Sequence, residues 1–234
     1  EDAEVSLGNP DLEPFLAWQY DFGVEFYFGS TEEGLFSING FYKDVDNFIV
    51  PTTTTETLAF PDQGVASQAY TVRSSRNGGA ATIYGFELNL QTPFTFLPAP
   101  LDNFGGSVNY TYTDSEFTDA FGFSYSFPGA SRDTANVVLY YEQGKFSTRL
   151  AYNFRNEYLI HSANDPDGAN ALYGEGSGRL DLSVRYRFGK NWRVSFDALN
   201  LTDEQSYKYY DTVQRYQNFE FEGKIYSVSL AYTF

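Results

Sequence analysis

Hydrophobic and polar residues alternate along this chain in short runs, and the clearest run closes it. In Ile225–Phe234, Tyr226, Val228, Leu230, Tyr232 and Phe234 share one side, while Ile225, Ser227, Ser229, Ala231 and Thr233 share the other. Side chains alternate across an extended backbone, so this pattern predicts a strand with one apolar face and one small, polar face. Eight further runs repeat it. They fall at about 17–28, 35–50, 80–91, 104–113, 134–141, 146–156, 180–188 and 192–200, with a bulge expected near Lys43–Asp46. In the first of them Trp18, Tyr20, Phe22, Val24, Phe26 and Phe28 oppose Gln19, Asp21, Gly23 and Glu25.

Connections between the nine runs alternate short and long. Tight turns such as Gly189-Lys190 join hairpins. The remaining connections, about 51–79, 114–133, 157–176 and 201–222, are long, and residues 1–14 read as the tail of another. A sandwich or soluble barrel has no reason to alternate this way. A transmembrane β-barrel does, because turns are short on the periplasmic side and loops are long outside. The expected fold class is therefore all-β, an antiparallel transmembrane barrel with its aromatic face toward lipid. The closing strand runs inward and places Phe234 at the periplasmic rim as an assembly signal. Nine is an odd number, whereas bacterial single-chain barrels use even ones. With no initiator Met and no signal segment, the 234 residues read as part of a longer barrel.

Composition agrees. Aromatics make up 19% of the chain, and no run approaches the roughly 20 apolar residues of a membrane helix. Cys is absent, which rules out disulfides and thiolate metal sites. Nearly all of the net charge of −16 belongs to the long connections, whereas the strands are close to neutral. Strand charges such as Asp21, Glu25, Glu87, Arg149, Asp181, Arg185, Arg187 and Asp197 lie opposite the aromatics. A charge facing lipid would cost a few kcal/mol at mid-depth, so this face must line a wet lumen. Both signs occur there, and the expectation is mutual ion pairing. An acidic pI near 4.3 argues against a nucleic-acid partner.

Several segments resemble motifs of TonB-dependent outer-membrane receptors. Asn9-Pro10-Asp11-Leu12-Glu13-Pro14 resembles the family's segment before a strand, with Phe15 where an acid is usual. Phe41-Tyr42-Lys43-Asp44-Val45-Asp46-Asn47-Phe48-Ile49, Gly85-Phe86-Glu87 and Asn200-Leu201-Thr202-Asp203-Glu204 follow in family order. The blend is most similar to the Caulobacter/Xanthomonas-type proteobacterial subgroup. The resemblance implies the last nine strands of a 22-strand barrel in the cell outer membrane, with a plug domain outside this chain. It implies energised uptake of a siderophore, chelate or oligosaccharide. The implied partners are lipid and lipopolysaccharide, the barrel assembly machinery, and the TonB complex acting through the plug.

Aromatic residues in the long connections are the candidate substrate contacts, since rings stack on sugars and aromatic chelates. They are Tyr70, Phe121, Phe123, Tyr125, Tyr158, Tyr173, Tyr207, Tyr209, Tyr210 and Tyr216. The single histidine, His161, cannot build a multi-His metal site, and no cofactor or catalytic constellation is expected. Gly174-x-Gly176-x-Gly178 opens a strand, which excludes a phosphate loop. A passive porin-like channel shares the barrel physics. An outer-membrane hydrolase and a soluble carbohydrate-binding β-protein are the other classes weighed.

Overall fold

The computed structural model describes residues 3–29, 33–118, 123–162 and 170–233. Its main sheet is an antiparallel meander in which each strand pairs with its sequence neighbours. The strands are β2 (Leu16–Phe28), β3 (Gly34–Phe60), β4 (Val65–Pro93), β5 (Phe104–Thr118), β7 (Asp133–Gln143), β8 (Phe146–Arg155), β11 (Ser177–Phe188), β12 (Trp192–Leu199) and β15 (Ile225–Tyr232). All nine expected runs are strands. Two short strands are added at its margins. β1 (Glu4–Ser6) pairs parallel with β4, and β6 (Ser124–Tyr125) pairs with β5.

Register fixes the two faces. Phe26, Phe36, Leu90, Val108, Val137, Tyr152 and Leu180 form one continuous row across seven strands. Val184, Phe196 and Val228 continue the same face on the last three. These side chains stand outside any protein core: Phe22 and Val228 are each 74% exposed. The opposite face carries a polar row, Glu25, Ser37, Asn89, Asn109, Asn136, Asn153 and Arg179. An apolar exterior opposite a polar interior, on strands whose backbone groups pair laterally, is the wall of a transmembrane barrel.

Near the short turns the apolar face becomes aromatic. Trp192 packs against Phe188 and Tyr232 at 6.0 and 4.8 Å, and Tyr141 against Phe104 and Phe146 at 4.7 and 6.2 Å. This band is an interfacial girdle, and it marks the short-turn end as one membrane surface. Phe188 pairs with Trp192, so the hairpin expected at Gly189-Lys190 has three turn residues instead of two.

The long connections differ from expectation. Residues 51–79 are not a loop, because β3 and β4 stay paired from Pro51–Ser75 out to Phe60–Val65 and turn through a 3-10 segment at Pro61–Gln63. Beyond the membrane no lipid selects one face of a hairpin, so Thr52–Thr55, Ser74 and Ser75 pair without any apolar alternation, although Tyr70 and Val72 in the same ladder are buried. Residues 1–14 include β1, and residues 114–133 include the end of β5 and β6. Connections 157–176 and 201–222 build a second sheet, described below. The expected bulge is present at Asp46–Asn47, where pairing shifts between Val45 and Phe48 and Asn47 takes φ 59°. Tyr226, Val228, Leu230 and Tyr232, the residues expected to carry an assembly signal, are exposed on the apolar face of β15, while Phe234 lies outside the described residues.

Candidate ligand-binding site

At the long-loop end, four short strands form a separate sheet. They are β9 (Tyr158–His161), β10 (Leu172–Gly174), β13 (Ser206–Tyr210) and β14 (Tyr216–Glu220), in the order β14-β13-β10-β9. Two connections far apart in sequence are thus joined by the Leu172–Tyr210 ladder. Leu159, Ala171, Leu172 and Tyr209 are buried and give the sheet a small core of its own.

Aromatic rings cover it. Tyr173 stacks on Tyr209 with centroids 5.6 Å apart, and Tyr207 lies 5.7 Å from Tyr216 and 4.9 Å from Phe219. Tyr209 is the buried support, and its hydroxyl donates to the Glu157 carboxylate at 2.7 Å. Burial, followed by that carboxylate, raises the Tyr209 hydroxyl above its ordinary range, so it stays a neutral donor. Tyr216 and Phe219 are 66% and 51% exposed. With Tyr207 they form an open platform of three rings, suited to stacking on a planar or ring-bearing solute.

The other candidates divide. Tyr70 is buried at 8% exposure, edge-on to Phe60 and with its hydroxyl accepting from Gln68, so it supports the tip of the β3–β4 hairpin instead of facing solute. Tyr158 lies under the Arg155 guanidinium, 3.6 Å from its ring centre, and its ring fills the space beside Gly174. Tyr210 is half-buried at the turn, its N–H donating to the Arg215 carbonyl. Phe123 is exposed and Tyr125 sits on β6 beside Phe117, away from the platform strands. Phe121 lies outside the described residues. Tyr173, Tyr207, Tyr209 and Tyr216 are therefore brought together, and Phe219 joins them unforeseen. His161 pairs across the ladder with Leu172. Among the described residues, no three His, Cys, Asp or Glu side chains gather in a metal-holding group.

The motif residues are structural. Asn200, 1% exposed and at φ 56°, donates to the carbonyls of Glu204 and Gly223 and accepts from the Glu204 N–H, while its own N–H donates to Asp181. It ties β12 to both ends of the loop that carries β13 and β14. Asn77 bridges Glu13 and the Asn47 carbonyl, and Asn9 donates to the Ser75 carbonyl. These bonds pin the Asn9–Pro14 segment against the bulge of β3 and the ladder of β4.

Expected ion pairing in the lumen is largely absent. Among the described residues, the nine-strand wall holds one such pair within the membrane-crossing register, Arg179 with Asp181 at 3.3 Å. Asp197 accepts from Ser183, Asp21 from Gln19 and Glu25 from Tyr27. Register separates Asp21, Glu25 and Glu87 on β2–β4 from Arg149, Arg185, Arg187 and Arg193 on β8–β12. Asp181 and Asp197 share strands with those arginines but are engaged by Arg179, the Asn200 N–H and the Ser183 hydroxyl.

The family described as TonB dependent receptor-like, beta-barrel matches residues 2–201. No curated protein sequence matches the chain. Among solved structures, the siderophore receptor PirA from Acinetobacter baumannii is similar at TM-score 0.68 and 19% identity, over 98% of this chain and 33% of that one. The ferric-catecholate import receptor Fiu from K12 E. coli gives 0.67 and 16%, over 97% and 29%. The FrpB iron transporter from Neisseria meningitidis gives 0.64 and 15%, over 99% and 32%. The chain spans about a third of the length of these structures.

Proposed function

Because the chain belongs to the TonB-dependent receptor β-barrel family of the outer membrane, whose members are receptors and transporters, we propose that it builds the substrate-capturing wall of an uptake receptor for an iron chelate. The observation that carries this reading is the ring platform of Tyr207, Tyr216 and Phe219 on a sheet held outside the membrane. Rings at this spacing offer stacking faces to a catecholate-type chelate, and each stacked pair contributes about 0.5–1.5 kcal/mol beyond area burial. The names of PirA, Fiu and FrpB support iron over a sugar.

In this reading the substrate settles on the platform and then passes down the polar lumen. The energy comes from the TonB complex acting through a plug domain, in a barrel of 22 strands. The exposed row Tyr226, Val228, Leu230 and Tyr232 is what the assembly machinery reads, and lipid and lipopolysaccharide surround the wall. Growth tests the proposal. Deleting the gene should abolish growth on a ferric catecholate as the only iron source. Restoring it with Tyr207→Ala and Phe219→Ala together should leave growth impaired. Unimpaired growth of the deletion strain on every iron chelate offered would refute it.

A further inference from the structure

On the lipid side of the wall, at its long-loop end, lies a hollow of about 660 Å³ that the capture platform does not use. Three elements line it: Tyr152, Phe154 and Asn156 around the end of β8, Gly176 and Gly178 around the start of β11, and Thr202 and Glu204 after β12. Tyr152 and Phe154 stand on the apolar face, Tyr152 in its continuous row and Phe154 two residues along, opposite Gly178. Each of β8, β11 and β12 has a partner strand on both sides within this chain. The hollow therefore lies inside the sheet and away from its open edges.

Strand geometry fixes its depth. Gly178 lies ten residues from Phe188 on β11, and Phe188 belongs to the interfacial girdle at the short turns. At about 3.3 Å per residue and a tilt of about 40°, that is a height of about 25 Å, the thickness of the apolar band of an outer-membrane barrel. Beside the hollow the same face turns polar: Asp133, opposite Tyr112 on the ladder, accepts from the Tyr110 hydroxyl and, at 2.8 Å, from Asn156 Nδ2. The hollow straddles the boundary between acyl chains and headgroups.

Its lining is divided in chemistry. Toward the acyl region it offers the rings of Tyr152 and Phe154, and the Tyr152 hydroxyl occupies the place where a side chain at Gly178 would stand. Around the headgroup side it carries the carboxylates of Glu157, Glu175 and Glu204 against one guanidinium, Arg155. That guanidinium is committed elsewhere: it donates to the Ser131 hydroxyl at 2.6 Å and to the Gly129 carbonyl at 2.7 Å, and lies 3.6 Å from the Tyr158 ring centre. Glu157 is steadied by the Tyr209 hydroxyl. Aromatic carbon at acyl depth beside a lining of net negative charge complements an amphiphile with a cationic head.

We propose that this hollow binds a lipid of the surrounding leaflet whose headgroup ends in a primary ammonium. The ammonium sits among Glu157, Glu175 and Glu204, and the first chain carbons lie over Tyr152 and Phe154. A primary ammonium is a compact charge with three N–H donors, which suits carboxylates converging from the β8 side, the β11 side and the β12 side. The volume is that of a small-ligand pocket, so it takes the headgroup and the start of the chains while the rest stays in the leaflet. A headgroup with phosphate and no ammonium meets only like charge there. The inference rests on the membrane placement of the wall and not on the capture platform.

Native mass spectrometry of the full-length protein in detergent tests it, with dioctanoyl phosphatidylethanolamine, phosphatidylcholine and phosphatidylglycerol added separately. The ethanolamine lipid should be retained most, the choline lipid, charged but without N–H donors, less, and the glycerol lipid least. Glu175→Gln with Glu204→Gln should lower retention of the ethanolamine lipid roughly tenfold. Thr202→Trp, which fills the hollow without removing a carboxylate, should lower it as well. Asp44→Asn with Asp46→Asn, on the same face of β3, should leave it unchanged, and chelate binding at the platform should be the same in all variants. Equal retention of the three lipids overturns the proposal. So does equal loss in the β3 variant, or displacement of the lipid by free ethanolamine at the same concentration, which would make the hollow a site for a soluble amine.

Discussion

Glu13 and Asn77 are joined in both directions: the Glu13 N–H donates to Asn77 Oδ1 at 2.7 Å, and Asn77 Nδ2 donates back to the Glu13 carbonyl at 2.7 Å. Sixty-four residues separate them in sequence. The pair behaves as a staple between the segment entering β2 and the ladder of β3 and β4. Asn77 also reaches the Asn47 carbonyl at the bulge. Asn77→Ala removes all three bonds, and the loss should be about 1–2 kcal/mol, confined to this end of the wall. Limited proteolysis should then cut within residues 1–14 faster, with no change in the heat-modifiable migration that reports the folded barrel.

Asn200 should be far less tolerant. It is buried, holds a left-handed backbone, and satisfies donors and acceptors at both ends of a loop. Asn200→Ala strands buried backbone groups and places a Cβ-bearing residue without local hydrogen bonds in the αL region, for a loss of about 2–4 kcal/mol. Asn200→Gly relieves only the backbone part. Urea midpoints measured in the order unaltered, glycine, alanine should fall in that sequence.

The two faces of β15 should respond oppositely to charge. Val228→Lys puts an ammonium group into lipid, which near mid-depth costs about 2–4 kcal/mol. Ser229→Lys, one residue on, faces the wet lumen and should fold as before. Comparing refolded yield into liposomes for the two variants checks the orientation, and equal yields would mean the faces are reversed or both wet.

Tyr209 gives the outer sheet a pH limit. Its folded pKa is raised above the ordinary tyrosine value of 10.0, by burial first and Glu157 second. A raised acid contributes stability fully below its unfolded value, and that contribution is lost as pH rises from there toward the folded value. The near-ultraviolet dichroism of the outer sheet should therefore hold through neutral pH and fade above about pH 10. Tyr209→Phe should remove this alkaline dependence and lower stability at neutral pH by about 1 kcal/mol, because Glu157 loses its donor.

What the sequence discloses follows from where water and lipid lie. Inside the membrane the faces differ in polarity, so Trp18–Phe28 and Tyr226–Tyr232 announce strand, register and orientation together. Outside it lipid selects neither face, and Thr52–Thr55 or Ser74–Ser75 pair just as regularly without any periodic mark. That is why the β3–β4 extension reads as loop. Phe219 escapes for a related reason: its connection reads as irregular, although Tyr207 and Tyr209, two residues apart, carry the period of a strand. The lumenal charges show the opposite limit. Their face is legible from alternation, but which charges meet is decided by register across strands, so the placement of Arg187 opposite Arg193 is visible only in the folded wall.

The central claim is that the ring platform captures an iron chelate, and equilibrium binding of a ferric catecholate to the full-length protein tests it most directly. The account predicts saturable binding that weakens roughly tenfold in Tyr207→Ala with Phe219→Ala, for the loss of two stacked rings, and is unchanged in Tyr70→Phe. Binding of full strength in the double variant, or no binding to the unaltered protein, would contradict it.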